Sequence, residues 1–260
     1  MTTKSQYADL LAELNTINKQ NKLAIYVPSQ QKYIDFTPLT VHHQKKIITT
    51  AISDTLNVST FHLLINSIIN ECCTEKQKLY LIDRDAIMIG LRGYMLGYKT
   101  TGKNSAGKDV DLDFEDHCNN FKNIKLPSEL LSTTTVEYDG IAIEIESPTL
   151  DIDTAVSKKV SPVINKMMKD DNINDTIGES IIYELTKYIK SISISGTTMR
   201  FKHSEVIKLA KVIESLPLKI SKMIMNEIEN TSGHIGKFTT IESESGNITI
   251  PVDARFFNGE

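Results

Sequence analysis

The sequence predicts an α+β fold, with an N-terminal β-hairpin and amphipathic helices, a β-rich middle, and a mostly helical C-terminal half that ends in a β-hairpin. Apolar residues recur at helical spacing in several long segments, and short β-branched runs flank turn dipeptides such as Asp139-Gly140. Hydrophobic residues make up 40% of the 260 residues, which is enough for a buried core. From changes in composition we predict three regions, 1–98, 99–157 and 158–260.

The N-terminal region is predicted to open with a short amphipathic helix or partner-docking arm. Its apolar residues at helical spacing are Tyr7, Leu10, Leu11, Leu14 and Ile17. Two apolar runs, 23–27 and 33–36, flank a polar connection and predict a hairpin with a longer loop. Thr40 is expected to cap a helix that begins at Val41 and carries Ile52 on its apolar face.

Two further helices complete this region. An i, i+3, i+4 stripe over residues 61–72 predicts a helix with a core-facing side, capped by Ser59. A third helix follows Asp83, and Gly97 lies near its end. Because carboxylates at a helix N-terminus accept its free amides, we interpret Asp83 and Asp85 as capping residues.

The middle region is polar at first and then rich in predicted strands. Residues 99–126 are dominated by Gly, Lys, Asn and Asp, which predicts a loop or an exposed hairpin. Within it, apolar and acidic residues alternate over 110–114, as in a strand with one wet face. Segments 135–138 and 141–145 flank Asp139-Gly140 and predict a hairpin.

The C-terminal region is predicted to be mainly helical. Ser161-Pro162 has the form of a cap followed by proline at the first helical position, so we expect a short helix from that point. An apolar stripe over 181–192 predicts a longer helix. The last predicted elements are helices from Ser204 and from Pro217 and a terminal hairpin of 238–241 with 248–252.

Charge and composition exclude several classes of function. A net charge of −4 and a pI near 5.9 argue against a generic nucleic-acid binder, since phosphate binding needs a concentrated basic surface. No apolar run approaches the ~20 residues of a membrane span, and the N-terminus lacks the apolar core of a signal peptide. Cys72, Cys73 and Cys118 show no disulfide pattern. We expect a cytosolic protein with reduced thiols that binds neither nucleic acid nor membranes.

Several segments resemble chemical sites but lack a necessary residue. Residues 102–109 are close to a phosphate-binding loop, yet Asp109 follows Lys108 where Ser or Thr would hold magnesium, and we interpret the segment as a connector. The acidic residues of 109–117 miss the Gly and Glu positions of a calcium loop. Adjacent His42 and His43 diverge by about 100° on a helix and are interpreted as surface residues. We predict no catalytic residue, no metal and no cofactor.

Four blocks of sequence resemble a known family. They are Val27-Pro28-Ser29 with Phe36-x-Pro38-Leu39-x-Val41, residues 83–92 with Gly97, residues 138–150, and the terminal pair Phe256-Phe257. In this order they resemble the baseplate hub assembly proteins of T-even-type contractile-tailed bacteriophages. Members of that family often carry CxxC pairs consistent with zinc knuckles, where this chain has a lone Cys118 and residues 242–246 without cysteine.

The resemblance implies a non-enzymatic role in a viral tail. The protein would be a baseplate hub assembly factor, acting as a transient chaperone, or a resident hub subunit, and it would work by protein–protein binding. Its partners would be other baseplate hub or tail proteins, with self-association left open. It would act in the cytoplasm of the infected bacterium and, as a subunit, remain in the virion tail baseplate. The alternative function is a nucleotide-binding enzyme that uses the degenerate Gly-rich loop at 102–109.

Partner-binding residues are expected near the chain ends and on one charged helix. Both terminal candidates are amphipathic segments, and amphipathic faces near chain ends dock easily. The two arginines on the helix after Asp83 are candidates for ion pairs between subunits. The predicted contact residues are Tyr7, Leu10, Leu14, Arg84, Arg92, Ile220, Ile224 and Ile228.

Overall fold

The computed structural model describes residues 3–51, 58–104, 106–169, 173–242, 246–253 and 255–257, and its strands form antiparallel sheets. The helices are α1 (Thr3–Gln20), α2 (Val41–Ala51), α3 (Val58–Cys72), α4 (Leu81–Leu96), α5 (Glu115–Asn120), α6 (Leu150–Lys169), α7 (Ile173–Thr186), α8 (Val206–Glu214) and α9 (Leu218–Thr239). The strands are β1 (Leu23–Val27), β2 (Lys32–Phe36), β3 (Lys99–Asn104), β4 (Asp109–Asp113), β5 (Thr134–Tyr138), β6 (Ile141–Ile145), β7 (Ile189–Ile194), β8 (Thr197–Arg200), β9 (Thr240–Ile241) and β10 (Ile248–Thr249). The mixed α+β class predicted from the sequence is confirmed.

The predicted N-terminal hairpin is present and is packed against α4. Strands β1 and β2 pair from Leu23 with Phe36 to Val27 with Lys32. A Cβ at Gly90 of α4 would lie 2.9 Å from Ile25 Cγ2, so the absence of a side chain there lets the helix approach the strand closely.

Asp83 fastens the hairpin loop to the start of α4. The Ser29 backbone N–H donates to Asp83 Oδ1 at 2.7 Å, and the Ser29 hydroxyl and the Tyr80 backbone N–H donate to Oδ2 at 2.7 Å each. The predicted capping role of Asp83 is therefore confirmed. Asp83 is the third residue of the helix, and its carboxylate also binds the hairpin loop at Ser29, more than fifty residues away in sequence.

Helices α2 and α3 follow the predicted stripes, with one correction. His43, expected on the surface, is buried, because its Nδ1 accepts the Thr40 backbone N–H at 3.0 Å and its Nε2 lies 3.2 Å from Glu71 on α3. Residues 65, 68, 69 and 72 of α3 are buried, as the stripe predicts. Ile52, assigned to the apolar face of α2, lies outside the described residues.

The first part of the middle region, predicted to be a loop or an exposed hairpin, forms a hairpin. Strands β3 and β4 pair across it, and β10 adds to β3, so the sheet order is β4-β3-β10-β9. A Cβ at Gly102 would lie 2.8 Å from Ile248 Cγ2, which explains glycine where β3 meets β10. Leu112 is buried while Asp111 and Asp113 are exposed, which confirms a strand with one wet face.

A second sheet has the order β5-β6-β7-β8. Its first hairpin turns at Asp139-Gly140, where both residues have positive φ (51° and 76°), as predicted for this dipeptide. The expected helix over 181–192 is wrong in its second half, since α7 ends at Thr186 and β7 takes up Ile189–Ile194. Ile189 and Ile192 are three residues apart, as in a helical stripe, yet both are buried in β7, whose pairing with β6 shifts register between Glu144 and Ile145.

Helix α6 runs through the predicted start of a helix at Ser161-Pro162. The proline removes one backbone N–H from the helix interior, which ordinarily costs about 3 kcal/mol. Val156 and Val160 are buried on the preceding turns, and the Ser161 hydroxyl hydrogen-bonds that of Thr60 on α3 at 2.7 Å. Packing of α6 along α3 and α7 thus keeps the helix continuous where a local pattern indicates a start.

The C-terminal segment returns to the middle sheet. The terminal hairpin is confirmed but is shorter than expected, with two residues in each strand, and Phe238 belongs to the end of α9. Phe256 and Phe257 are buried in the main core. No described helix combines the length and apolar character needed to cross a membrane. The division into regions 1–98, 99–157 and 158–260 stays a prediction.

Candidate partner-binding surface

Helix α1 presents an uncovered apolar stripe. The exposed fractions of its apolar side chains run from 70% at Tyr7 to 46% at Ile17. Between residues 6 and 20 every side chain is exposed apart from that of Asn18, which is half-buried. The predicted contact residues Tyr7, Leu10 and Leu14 therefore lie together on a face that the rest of the described chain leaves free.

The arm is joined to the hairpin by short local contacts. The Asn21 backbone N–H donates to the Ile17 carbonyl at 3.1 Å and closes the last turn of α1. Next along the chain, the Lys22 ammonium pairs with Asp35 on β2 at 3.1 Å, between side chains that are both exposed. These contacts hold the end of the helix and leave its apolar stripe uncovered.

Arg84 makes its ion pairs within the molecule. Its guanidinium lies 3.4 Å from Asp85 and 3.4 Å from the buried Asp153 of α6. The prediction that Arg84 forms pairs between subunits gains no support from this geometry, because both carboxylates come from its own chain. Arg84 instead helps to join α4 to α6.

Asp153 lies at the centre of a buried polar cluster. Lys187 Nζ is 2.6 Å from Asp153 Oδ1, and the Asn66 amide donates to Oδ2 at 2.7 Å. Burial alone would raise the pKa of Asp153, but the charges of Lys187 and Arg84 lower it below its ordinary value. Burial, together with Arg84, lowers the pKa of nearby His62 to about 3, so this imidazole stays neutral. Through ion pairs and hydrogen bonds to Asp153, the cluster connects α3, α4, α6 and the residue that follows α7.

Arg92 belongs to the core. It is 1% exposed, its Nε donates to the Phe256 carbonyl at 3.0 Å, and it also hydrogen-bonds the Gly97 carbonyl. The guanidinium carbon lies 5.0 Å from the Phe256 ring centre and 5.4 Å from that of Phe114, and burial lowers the arginine pKa. The expectation that Arg92 pairs with another subunit is therefore wrong, because a side chain enclosed by its own chain cannot reach a partner.

The predicted contact surface on α9 is also corrected. Ile220 and Ile224 have no exposed surface and belong to the main core, and Ile228 is half-buried against it. An amphipathic stripe near a chain end predicts that its apolar side is buried. It does not show whether the same chain or another protein covers that side. Here the molecule itself covers the stripe of α9, whereas it leaves that of α1 open.

The segment 102–109 comprises the end of β3, the loop that follows it, and the first residue of β4. The Asn104 side-chain oxygen accepts the backbone N–H groups of Ala106 and Lys108 at 3.0 Å each. A strand follows it, and the described part of the loop leads into no helix. Because two loop amides already have a partner, the described geometry does not favour phosphate binding.

The described residues hold no group of three or more His, Cys, Asp or Glu side chains that could bind a metal. All three cysteines are described and are free thiols. Burial raises the pKa of Cys72 to about 11 and that of Cys118 to about 12, so both stay protonated at neutral pH. His117 Nε2 donates a hydrogen bond to the Phe238 carbonyl, 3.0 Å away, and serves packing.

An α+β body with an uncovered apolar helix is typical of a subunit of a larger assembly. The family described as T4 bacteriophage base plate protein matches residues 20–244, and the chain belongs to this family. It is a phage baseplate protein with a structural role, so the resemblance found in the sequence is confirmed at this level. Comparison with curated proteins and with solved structures gives no match. The matched residues begin at the last residue of α1, so almost all of the arm precedes them.

Proposed function

We propose that this baseplate protein is a non-enzymatic assembly factor or structural subunit of the baseplate hub, and that it acts by binding other proteins of the hub or tail. The observation that carries the proposal is the uncovered apolar stripe of α1. Burying such side chains is favourable by about 25 cal/mol per Å² of apolar surface, so the stripe is stabilised by a protein that covers it.

The helix itself also favours a partner. Isolated helices of about 12–15 residues or fewer are marginal in water, and most helical stability in proteins comes from packing of an apolar face. Helix α1 is 18 residues long and packs little of that face against its own chain. A helix under these conditions gains most from contact with another surface.

The proposal is tested in phage that carry a substituted copy of the gene. Leu10→Glu with Leu14→Glu places two charges in the stripe and is expected to reduce the yield of complete baseplates, as counted by electron microscopy. Ala12→Glu with Thr16→Glu is the matched control, because it adds the same charges at the same spacing on the opposite, exposed side of α1. Normal baseplate yield from the Leu10/Leu14 variant would overturn the proposal.

The two forms of the proposal differ in where the protein ends up. A resident subunit is present in purified tails at a fixed copy number, measured by quantitative mass spectrometry. A transient assembly factor is found with hub intermediates in the host cytoplasm and is missing from finished tails. Either result identifies the form.

The alternative of a nucleotide-binding enzyme rests on residues 102–109 and has the Asn104-centred turn against it. Purified protein is expected to show no ATP or GTP hydrolysis above background. Turnover that disappears in Lys108→Ala, with an unchanged circular dichroism spectrum, would establish the alternative.

A further inference from the structure

One edge of the sheet β4-β3-β10-β9 is strand β4, whose outward main-chain groups are unpaired. At one end of the β3–β4 ladder, the Phe114 backbone N–H donates to the Tyr98 carbonyl at 2.9 Å. At the other end, the Asn104 N–H donates to the Lys108 carbonyl at 3.0 Å. Because hydrogen-bonded and non-bonded pairs alternate in an antiparallel ladder, every second residue of β4 points its N–H and C=O groups away from β3. In the described chain no hydrogen bond engages the outward groups, which belong to Asp109, Asp111 and Asp113.

The same three residues make this edge acidic. Their side chains are all exposed on one face of β4. Across the ladder, Lys103 lies 3.7 Å from Asp109, whereas Asp111 lies opposite the uncharged Thr101. Residues 109–121 contain five acidic side chains and no lysine or arginine. Free main-chain donors and acceptors therefore coincide with an excess of negative charge.

We propose that the β4 edge binds an extended segment of another protein in which lysine or arginine alternates with apolar residues. Such a segment adds a strand to the sheet through the free main-chain groups of β4. Successive side chains of a strand point to opposite faces, so its basic residues lie beside the aspartates. Its apolar residues lie beside Val110 and Leu112, which are half-buried and buried on the other face. This surface is separate from α1, and the inference goes beyond the proposed role of that helix.

Charge selects the occupant of this edge. When β4 strands of two copies pair, the aspartates of one chain lie opposite those of the other, and like charges directly opposite each other destabilise a strand pair. Charged side chains on an edge strand commonly prevent unwanted pairing in this way. A basic strand is favoured by the same charges that reject an acidic strand or a second copy.

Binding is tested with a synthetic peptide of alternating lysine and valine, of the length of β4. The labelled peptide is titrated with the purified full-length chain and followed by fluorescence anisotropy. A peptide of the same composition with its lysines adjacent is expected to bind more weakly, because adjacent lysines point to opposite faces of a strand. Failure of the alternating peptide to bind, or equal binding of the two peptides, overturns the inference.

The role of charge is tested with Asp111→Lys. This variant replaces an attractive contact by a repulsive one and is expected to weaken peptide binding by about fivefold. Glu214→Lys, on the exposed side of α8, makes the same change of charge away from the edge and should bind like the wild type. Equal affinity of wild type and Asp111→Lys contradicts the proposed charge complementarity.

The role of the main chain is tested by comparing Asp111→Pro with Asp111→Ala. Both variants lack the carboxylate, but only the proline variant lacks the outward N–H group. Because that group points away from β3, proline leaves the β3–β4 ladder intact, which circular dichroism checks. Asp111→Pro is expected to bind the peptide about two- to tenfold more weakly than Asp111→Ala. Equal affinities would mean that charge alone attracts the peptide, and strand addition would be wrong.

Sedimentation velocity of the wild-type chain tests the competing occupant. The chain is expected to show no self-association through this edge, and a dimer that Asp111→Pro abolishes would make a second copy the occupant and overturn the inference. The edge and the arm fail separately. If the peptide does not bind but the Leu10/Leu14 variant lowers baseplate yield, only the edge proposal is wrong. If the peptide binds as expected but that variant assembles normal baseplates, only the role of α1 is wrong.

Discussion

At the scale of single residues, buried carboxylates decide how the N-terminal half is held together. Asp83 accepts hydrogen bonds from Ser29 and Tyr80. Burial raises its pKa to about 6, even though these donors favour the charged form. Asp153 differs because Lys187 and Arg84 supply positive charge, and its pKa falls. Whether a cation lies beside the buried carboxyl group determines how each site responds to pH.

The first prediction concerns Asp83 and pH. The unfolded chain releases this proton near pH 4 and the folded chain near pH 6, so between these values the folded state binds more protons and the free energy of unfolding falls as pH rises. The difference between these two pKa values corresponds to roughly 2–3 kcal/mol in the free energy of unfolding. Urea unfolding from pH 4 to pH 7 is expected to show this loss in the wild type relative to Asp83→Asn.

The control for this prediction is Asp85→Asn, on the same turn of α4. It retains Asp83 and should keep the wild-type dependence on pH. Parallel stability curves for wild type and Asp83→Asn would contradict the raised pKa.

The second prediction concerns Asp153. Asp153→Asn leaves Lys187 without its buried carboxylate partner, and removing one partner of a buried pair costs about 3–5 kcal/mol. Glu184→Gln removes the other carboxylate near Lys187, which is half-exposed, and should cost less. Chemical unfolding at pH 7 measures both. A loss below about 1 kcal/mol in Asp153→Asn would mean that the cluster does not stabilise the fold.

At the scale of elements, packing decides between local alternatives that the pattern leaves open. Pro162 would end many helices, yet α6 continues through it because its face is covered by α3 and α7. The stripe of α3 is covered as predicted, with Ile68 fully buried and Leu64 half-buried. The apolar stripe of α1, by contrast, is left uncovered by the rest of the described chain. Periodicity thus identifies a face, and the neighbouring elements determine its use.

The third prediction tests the face of α3. Ile68→Ala removes a fully buried side chain and is expected to cost about 2–5 kcal/mol, from lost burial and the remaining cavity. Leu64→Ala should cost less, because Leu64 already contacts solvent. Urea unfolding measures both variants. Costs below about 0.5 kcal/mol for both would mean that this face is available to a partner instead.

At the scale of the whole molecule, the C-terminal segment ties distant parts together. Strand β10 lies between β3 and β9, and Phe256 packs on Phe114 while its carbonyl accepts a hydrogen bond from Arg92, 164 residues earlier in the chain. These contacts connect α4, the middle sheet and the chain end. Loss of the contacts of this C-terminal segment is therefore expected to destabilise the whole fold.

The fourth prediction follows from this connection. Phe256→Ala removes a buried ring and uncovers one side of the Arg92 guanidinium, with an expected cost of about 3–5 kcal/mol. Tyr94→Ala, on the exposed side of α4, is the control and should change stability by less than about 0.5 kcal/mol. Thermal unfolding followed by circular dichroism compares them. Equal melting temperatures would show that the terminal segment is not part of the cooperative core.

Much of the fold and part of the candidate site could be predicted from the sequence because they depend on near neighbours. The turn at Asp139-Gly140, the N-terminal hairpin and the stripes of α1 and α3 follow from local backbone preference and from periodicity. The stripe of α1, with Tyr7, Leu10 and Leu14, was identified in this way.

Only the tertiary structure decided which faces are covered and which charges are paired. The burial of Arg92 and Ile220, the ion pair of Asp153 with Lys187 and the placement of β10 join residues far apart in the chain. A helical or alternating pattern specifies which side of an element is apolar, but the packing of distant segments determines what that side meets. For this reason the sequence alone could predict the arm, whereas the fold was needed to show that its apolar stripe is still uncovered.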